Sequence, residues 1–131
     1  MNKTSYGFGK IIHGCSLGDG VEKVTKSLSD VGFGILTRVD VHHTLKEKLG
    51  ADFRPYAILG ACHPQLALQA LEVEDQVGLL MPCNILVQER GDDVQISSID
   101  PDALVSLVEE GPCAEAMQEA GILLRKAFAK L

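Results

Sequence analysis

Two strand-like segments separated by a turn signal constrain the fold of this chain most strongly. Residues 84–89 lead into Gly91-Asp92, a dipeptide typical of turns, and residues 94–99 then alternate apolar and polar side chains. This arrangement predicts an antiparallel hairpin with one buried face. The chain is therefore expected to contain a sheet that other segments cover on one side.

Helical patterns precede and follow this hairpin. Ser16 and Asp19 form a capping-box-like start to an apolar stripe of period 3.6, and further helices are predicted after Asp40, Pro64, Pro101 and Pro112. Other strands are predicted over residues 6–13, 33–39 and 56–61, the last of them buried on both faces. Together these segments predict an α+β fold, with an antiparallel sheet covered by helices.

Size and charge exclude several classes of protein. The 131 residues predict one domain, residues 1–131, and the net charge of −6 argues against a nucleic-acid partner. No apolar run reaches the ~18–20 residues that a membrane span needs. The polar segment 1–6 predicts no secretory signal peptide. The four widely spaced cysteines indicate reduced thiols and a cytoplasmic location.

Three segments in series resemble the domain of unknown function 302 family. They are GILTRVDV at 34–41 followed by Leu45-Lys46, YAILGACHP at 56–64, and LLMPCN at 79–84. The resemblance implies a fold like that of the TATA-binding-protein (TBP) domain, a curved antiparallel sheet packed on helices, commonly as a homodimer. It implies neither an activity nor DNA binding, and it assigns no residue a catalytic role.

Cys62-His63-Pro64 is the most suggestive local feature. If Pro64 begins a helix, the helix dipole favours the thiolate of Cys62, which makes Cys62 a candidate catalytic or redox residue. The alternative is a small buried thiol at the end of a strand. Cys83 also lies at a strand end, so it could pair with Cys62 in redox chemistry or remain a core residue.

Metal and anion sites are the other candidates. Cys62, His63 and Cys83 are possible ligands of a metal or a haem iron, although their spacing matches no zinc motif. A polar cluster of Arg38, Asp40 and Arg54, with Lys46 nearby, could bind an anionic ligand. His63 is a further candidate residue for binding that ligand. The alternative is an Asp40 helix cap with ordinary salt bridges. His42 and His43 are predicted to be surface residues.

Three functions of different classes follow. The first is a dimeric module that binds a small apolar or weakly anionic molecule between sheet and helices. The second is a thiol-dependent redox protein or enzyme that uses Cys62, with or without Cys83. The third is metal or haem binding through Cys62, His63 or Cys83. The sequence identifies neither a cofactor nor a reaction.

Overall fold

The computed structural model describes residues 3–131. Met1 and Asn2, part of the polar segment 1–6 on which the prediction of no signal peptide was based, lie outside the described residues. The strands are β1 (Lys3–Thr4), β2 (Gly7–Ile12), β3 (Gly34–Asp40), β4 (Tyr56–Cys62), β5 (Cys83–Arg90) and β6 (Asp93–Ile99). The helices are α1 (Leu17–Ser29), α2 (Val41–Leu49), α3 (Pro64–Val73) and α4 (Pro112–Ala129). Two 3₁₀ helices cover Asp75–Leu80 and Pro101–Leu107.

The strands form one antiparallel sheet in the order β1-β2-β6-β5-β4-β3. β5 and β6 make the predicted hairpin, in which Arg90 pairs with Asp93 across the turn at Gly91. The α+β fold with helices packed on an antiparallel sheet is thus confirmed. Its likeness to the TATA-binding-protein domain stays a prediction.

The core lies between the sheet and helices α1 and α4. Val24 and Leu28 of α1 and Leu124 and Phe128 of α4 are fully buried against strand side chains such as Leu59, Ile85, Val87 and Ile96. The ring of Phe128 meets that of Phe8 edge to face, with centroids 5.2 Å apart. Within residues 3–131 no helix is both long and apolar enough to cross a membrane.

The opposite face of the sheet, here called the open face, is not covered by α1 or α4 in the described part of the chain, and this corrects one prediction. β4 was expected to be buried on both sides. Its inward residues Ala57, Leu59 and Ala61 are buried, whereas Tyr56 and Ile58, which point the other way, are only half-buried. Every second residue of a strand faces the same side, so one uncovered face leaves alternate positions accessible.

Capping residues mark the beginning of α1 and the end of α2. The backbone N–H of Asp19 donates to Ser16 Oγ at 3.2 Å, as the capping-box pattern predicts. Gly50 ends α2 in the left-handed conformation, with φ of 65°. Asp40 stands at the N-cap of α2, but its side chain makes no capping hydrogen bond.

Some predicted core positions of the other helices are exposed. Leu71 on α3 was expected to face inward, but it lies on the solvent side of the helix. The predicted helix after Asp100 is a 3₁₀ helix, and its Leu107 is exposed. The tighter 3₁₀ turn rotates successive side chains by a larger angle than an α-helix does, so an α-helical apolar stripe does not stay on one side.

Candidate functional site

A small apolar pocket lies where the chain leaves β4 and returns at the start of β5, and we call it the interlayer pocket. Residues 63–82, which contain α3 and the first 3₁₀ helix, form one wall, and α4 forms another. The pocket has a volume of about 80 Å³. Its apolar lining includes Leu66, Ala70, Val77, Met81, Ala116 and Met117.

Cys62 and Cys83 both line the interlayer pocket, so the structure brings these two predicted residues together. Cys83 stands opposite Ala61 in the ladder between β4 and β5, one residue from Cys62, and both thiols are free. Burial, and to a smaller extent the neighbouring Cys62, raises the pKa of the Cys83 thiol to about 11. Cys83 is therefore a protonated thiol at neutral pH.

His63 has a structural role at the edge of the pocket. It is the N-cap of α3, where its Nδ1 accepts a hydrogen bond from the backbone N–H of Leu66 at 3.4 Å. Its ring meets that of Phe33 edge to face, with centroids 5.4 Å apart. Because Nδ1 is the acceptor, the neutral imidazole carries its hydrogen on Nε2. Packing and capping together fix the orientation of this side chain.

The predicted anion site around Arg38, Asp40 and Arg54 is not assembled. Arg38 Nε bonds to Asp40 Oδ1 at 3.1 Å, which also explains why the Asp40 carboxylate does not cap α2. Lys46 pairs with Asp52 at 2.9 Å. Arg54 belongs to neither ion pair and donates from Nε to Gln88 Oε1 at 2.9 Å.

The two adjacent histidines of α2 differ in their surroundings. The prediction of a surface residue is wrong for His42, which is half-buried and accepts a hydrogen bond on Nδ1 from the backbone N–H of Tyr56 at 3.0 Å. His43 is exposed as predicted. The hydrogen bond of His42 holds the start of α2 against β4.

The remaining thiols lie in other parts of the protein. Cys15 is buried beside the start of α1, and Cys113 is buried at the start of α4. Burial raises the pKa of both thiols. Among residues 3–131, no three side chains of His, Cys, Asp or Glu are grouped so that they could hold a metal ion, and Cys62, His63 and Cys83 do not form such a group.

The lining of the interlayer pocket determines what it can do chemically. In the described part of the chain, none of the lining residues is Asp, Glu, Lys or Arg. The pocket therefore offers apolar contact, two thiols and the imidazole of His63, with no carboxylate or ammonium group for proton transfer. Met81, Ala116 and Met117 could not be predicted as lining residues, because only the packing of α4 against α3 and the 3₁₀ helix brings them together.

Three comparisons place the chain among known proteins. The family model of the domain of unknown function DUF302 matches residues 12–131. The crystal structure of an uncharacterized conserved DUF302 protein from Bacillus stearothermophilus superposes with a TM-score of 0.84 at 26% identity, covering 95% of this chain and 97% of that one. No curated protein matches the chain.

Proposed function

Because the chain belongs to the DUF302 family, whose description names no activity, we propose a function from its geometry: a dimeric module that binds a small apolar ligand in the interlayer pocket. The observation that carries this proposal is the pocket itself. It lies between sheet and helices, is lined by aliphatic and thioether side chains, and contains no charged group among the described residues. Such a site binds a ligand by displacing water from apolar surface.

The volume of the pocket sets the size of the ligand. A cavity of 150 Å³ lined by apolar residues can hold benzene or xenon, so about 80 Å³ suits a ligand of a few heavy atoms or the end of an apolar chain. Cys62 and Cys83 add polarizable sulfur to the lining. The raised pKa of Cys83 keeps its thiol neutral, which suits an apolar ligand better than a charged one.

A second copy of the chain is proposed to cover α2 and the neighbouring edge strand β3. None of the residues of α2 is buried, although Val41, Leu45 and Leu49 recur at helical spacing. Leu49 is 74% exposed and Leu36 of β3 is 68% exposed. In the proposed dimer these exposed apolar side chains would be covered together by the second copy.

The pocket is tested with xenon as the probe, because a volume of about 80 Å³ is smaller than the cavity of about 150 Å³ that holds benzene. Methyl NMR of the protein labelled at methionine should show shifts of Met81 and Met117 on addition of xenon. Ala116→Leu, which fills the pocket from α4, should abolish these shifts. Ala129→Leu, on an exposed position of the same helix, is the matched control and should bind as the wild type does. Unchanged methyl signals in the wild type, or equal binding by Ala116→Leu, would overturn the proposal.

The dimer is tested by light scattering and sedimentation. Leu49→Asp should convert a wild-type dimer into a monomer, because it places a charge in the proposed interface. Leu79→Asp is the matched control, since Leu79 is equally exposed but lies in the first 3₁₀ helix. A monomeric wild type, or a Leu49→Asp protein that remains dimeric, would contradict this part of the proposal.

A thiol-dependent function of Cys62 is the second candidate. Cys62 is half-exposed, lines the pocket and immediately precedes the N-cap of α3, where the helix dipole favours an anion. Alkylation with iodoacetamide at pH 7 followed by peptide mass spectrometry tests it. Faster labelling of Cys62 than of an unfolded cysteine supports the candidate, and slower labelling contradicts it.

A further inference from the structure

The open face of the sheet contains a depression that, among the described residues, shares only Ile99 with the lining of the interlayer pocket. Its volume is about 650 Å³, which falls within the range of small-molecule sites. Glycines create part of it, because Gly7 and Gly9 of β2 place no side chain on this face. A Cβ atom at Gly9 would lie 2.6 Å from Ser97 Oγ, so even alanine would crowd the floor here.

The register between β4 and β5 directs Arg54 and Arg90 to one end of this face, and we call them the arginine pair. Tyr56 is paired with Gln88, and the backbone N–H of Glu89 donates to the carbonyl of Pro55 at 2.9 Å, so the antiparallel register continues beyond β4. Continuing the register by one residue brings Arg54 beside Arg90. Arg90 lines the depression.

Glutamines hold both guanidinium groups. Arg54 Nε donates to Gln88 Oε1 at 2.9 Å, and Arg90 Nε donates to Gln95 Oε1 at 2.7 Å. Gln88 and Gln95 are themselves a cross-strand pair, and both line the depression. Gln88 is only 6% exposed, so its position is fixed by the sheet. The Nε atoms are thus engaged by neutral groups, which leaves the Nη atoms to meet a further partner.

The arginine pair forms no salt bridge within residues 3–131, although the net charge of the chain is −6. The other two arginines, Arg38 and Arg125, both pair with aspartates. Asp93 stands opposite Arg90 in the ladder, but its carboxylate accepts from the backbone N–H of Gly14 and contacts His13. Neighbouring like charges on one sheet face repel each other, and an anion would relieve that repulsion.

Both oxygens of the Asp93 carboxylate already have partners, the backbone N–H of Gly14 and the ring of His13. The hydrogen bond from Gly14, followed by that from His13, lowers the pKa of Asp93. The nearest other carboxylate along β5, that of Glu89, accepts from the backbone N–H of Leu17 at 3.0 Å at the start of α1, on the helix side of the sheet. Among the described residues, no carboxylate therefore forms a salt bridge with either member of the arginine pair.

We propose that the arginine pair and the adjoining depression bind a small organic anion through a carboxylate or phosphate group. Guanidinium groups bind both anions through paired hydrogen bonds. The body of the ligand would lie along the depression over Leu86 and Ile99, with Tyr6 at its rim. This site goes beyond the proposed function, since it lies on the opposite face from the interlayer pocket and has a different chemistry.

Binding of inorganic pyrophosphate and of citrate, measured by isothermal titration calorimetry at low ionic strength, tests the proposal and distinguishes phosphate from carboxylate. At least one probe should bind the wild-type protein. Arg54→Gln and Arg90→Gln should each weaken its binding by at least tenfold. Arg38→Gln is the matched control, because Arg38 lies opposite Leu59 on the other face, and its affinity should equal that of the wild type.

A stability measurement without any probe gives a second readout. Added salt should stabilise the wild type more than Arg54→Gln, because salt screens the repulsion between Arg54 and Arg90. The loss of the bond to Gln88 and of the contact with the Phe53 ring lowers the stability of Arg54→Gln at every salt concentration, so the readout is the difference in salt dependence. Three results would overturn the proposal: neither probe binds, Arg38→Gln weakens binding as much as Arg54→Gln does, or a second copy of the chain covers the open face and excludes both probes.

Discussion

Replacing Gly32 by alanine should destabilise the protein through the cap of α3, which is remote from Gly32 in sequence. Gly32 has φ of 94°, and a Cβ atom there would lie 2.7 Å from His63 Nε2. The positive φ alone costs a residue with a side chain about 1–2 kcal/mol. Displacing the His63 ring would also disrupt its bond to Leu66 and its contact with Phe33, and a lost cap costs about 1 kcal/mol. Gly32→Ala should therefore cost about 2–3 kcal/mol.

Urea unfolding followed by far-ultraviolet circular dichroism measures this cost, and a double-mutant cycle with His63→Ala separates its two parts. In the His63→Ala background the alanine at position 32 no longer meets an imidazole, so Gly32→Ala should cost only about 1–2 kcal/mol there. The coupling between the two positions should thus be about 1 kcal/mol.

Gly50→Ala provides the matched control for the backbone contribution. Gly50 also has a positive φ, 65°, but no atom lies within 4 Å of an added Cβ atom. Gly50→Ala should therefore lower the free energy of unfolding by the backbone contribution alone, and this loss should be the same with and without His63. If Gly32→Ala costs no more than Gly50→Ala, or costs the same with and without His63, then the ring of His63 does not depend on the space at Gly32 and the reasoning fails.

Three further predictions concern stability. The pKa of Cys83, about 11 in the folded protein, lies above the ordinary thiol value, so the free energy of unfolding should fall by about 2–3 kcal/mol as the pH rises from about 9 to 11, and Cys83→Ala should lack this part of the loss. Phe128→Ala should cost about 3–5 kcal/mol in urea unfolding, because it removes a fully buried ring packed on Phe8, and a cost below 1 kcal/mol would contradict that packing. Ser16→Ala should cost about 1 kcal/mol through the lost bond from Asp19, and Ser16→Asp should retain most of the stability if capping is the cause.

The strands and helices were predictable to the extent that their signals are local. The turn at Gly91, the cap at Ser16 and the prolines at 64 and 112 each fix a boundary within a few residues, and the structure confirms them. The burial of β4 was not predictable in the same way. Its apolar residues face both sides of the sheet, and whether a helix covers the second side depends on the whole topology.

The candidate site shows the same division between local and distant information. Cys62, His63 and Cys83 could be selected from the sequence because they flank predicted strand and helix ends, and all three line one pocket. The partners of Arg54 could not be selected. The predicted helix cap at Asp40 suggested a cluster of Arg54 with Arg38, whereas the register between β4 and β5 places Arg54 beside Gln88 and directs it toward Arg90. A register is a property of paired strands, which no single segment contains.

The strand order also has a consequence for how the chain folds. β2 is the second strand in sequence, yet it pairs with β6, with Gly7 opposite Ile99 and Ile12 opposite Val94. Pairing β2 with β6 closes a long loop that contains most of the chain, and this costs chain entropy. The short turn between β5 and β6 costs much less. During synthesis on the ribosome, β2 emerges well before β6 and remains unpaired with β6 until that strand is made. We therefore expect the hairpin to form early and the β2–β6 ladder to complete the sheet late, so that until then the edge of β6 remains available to strands of other chains.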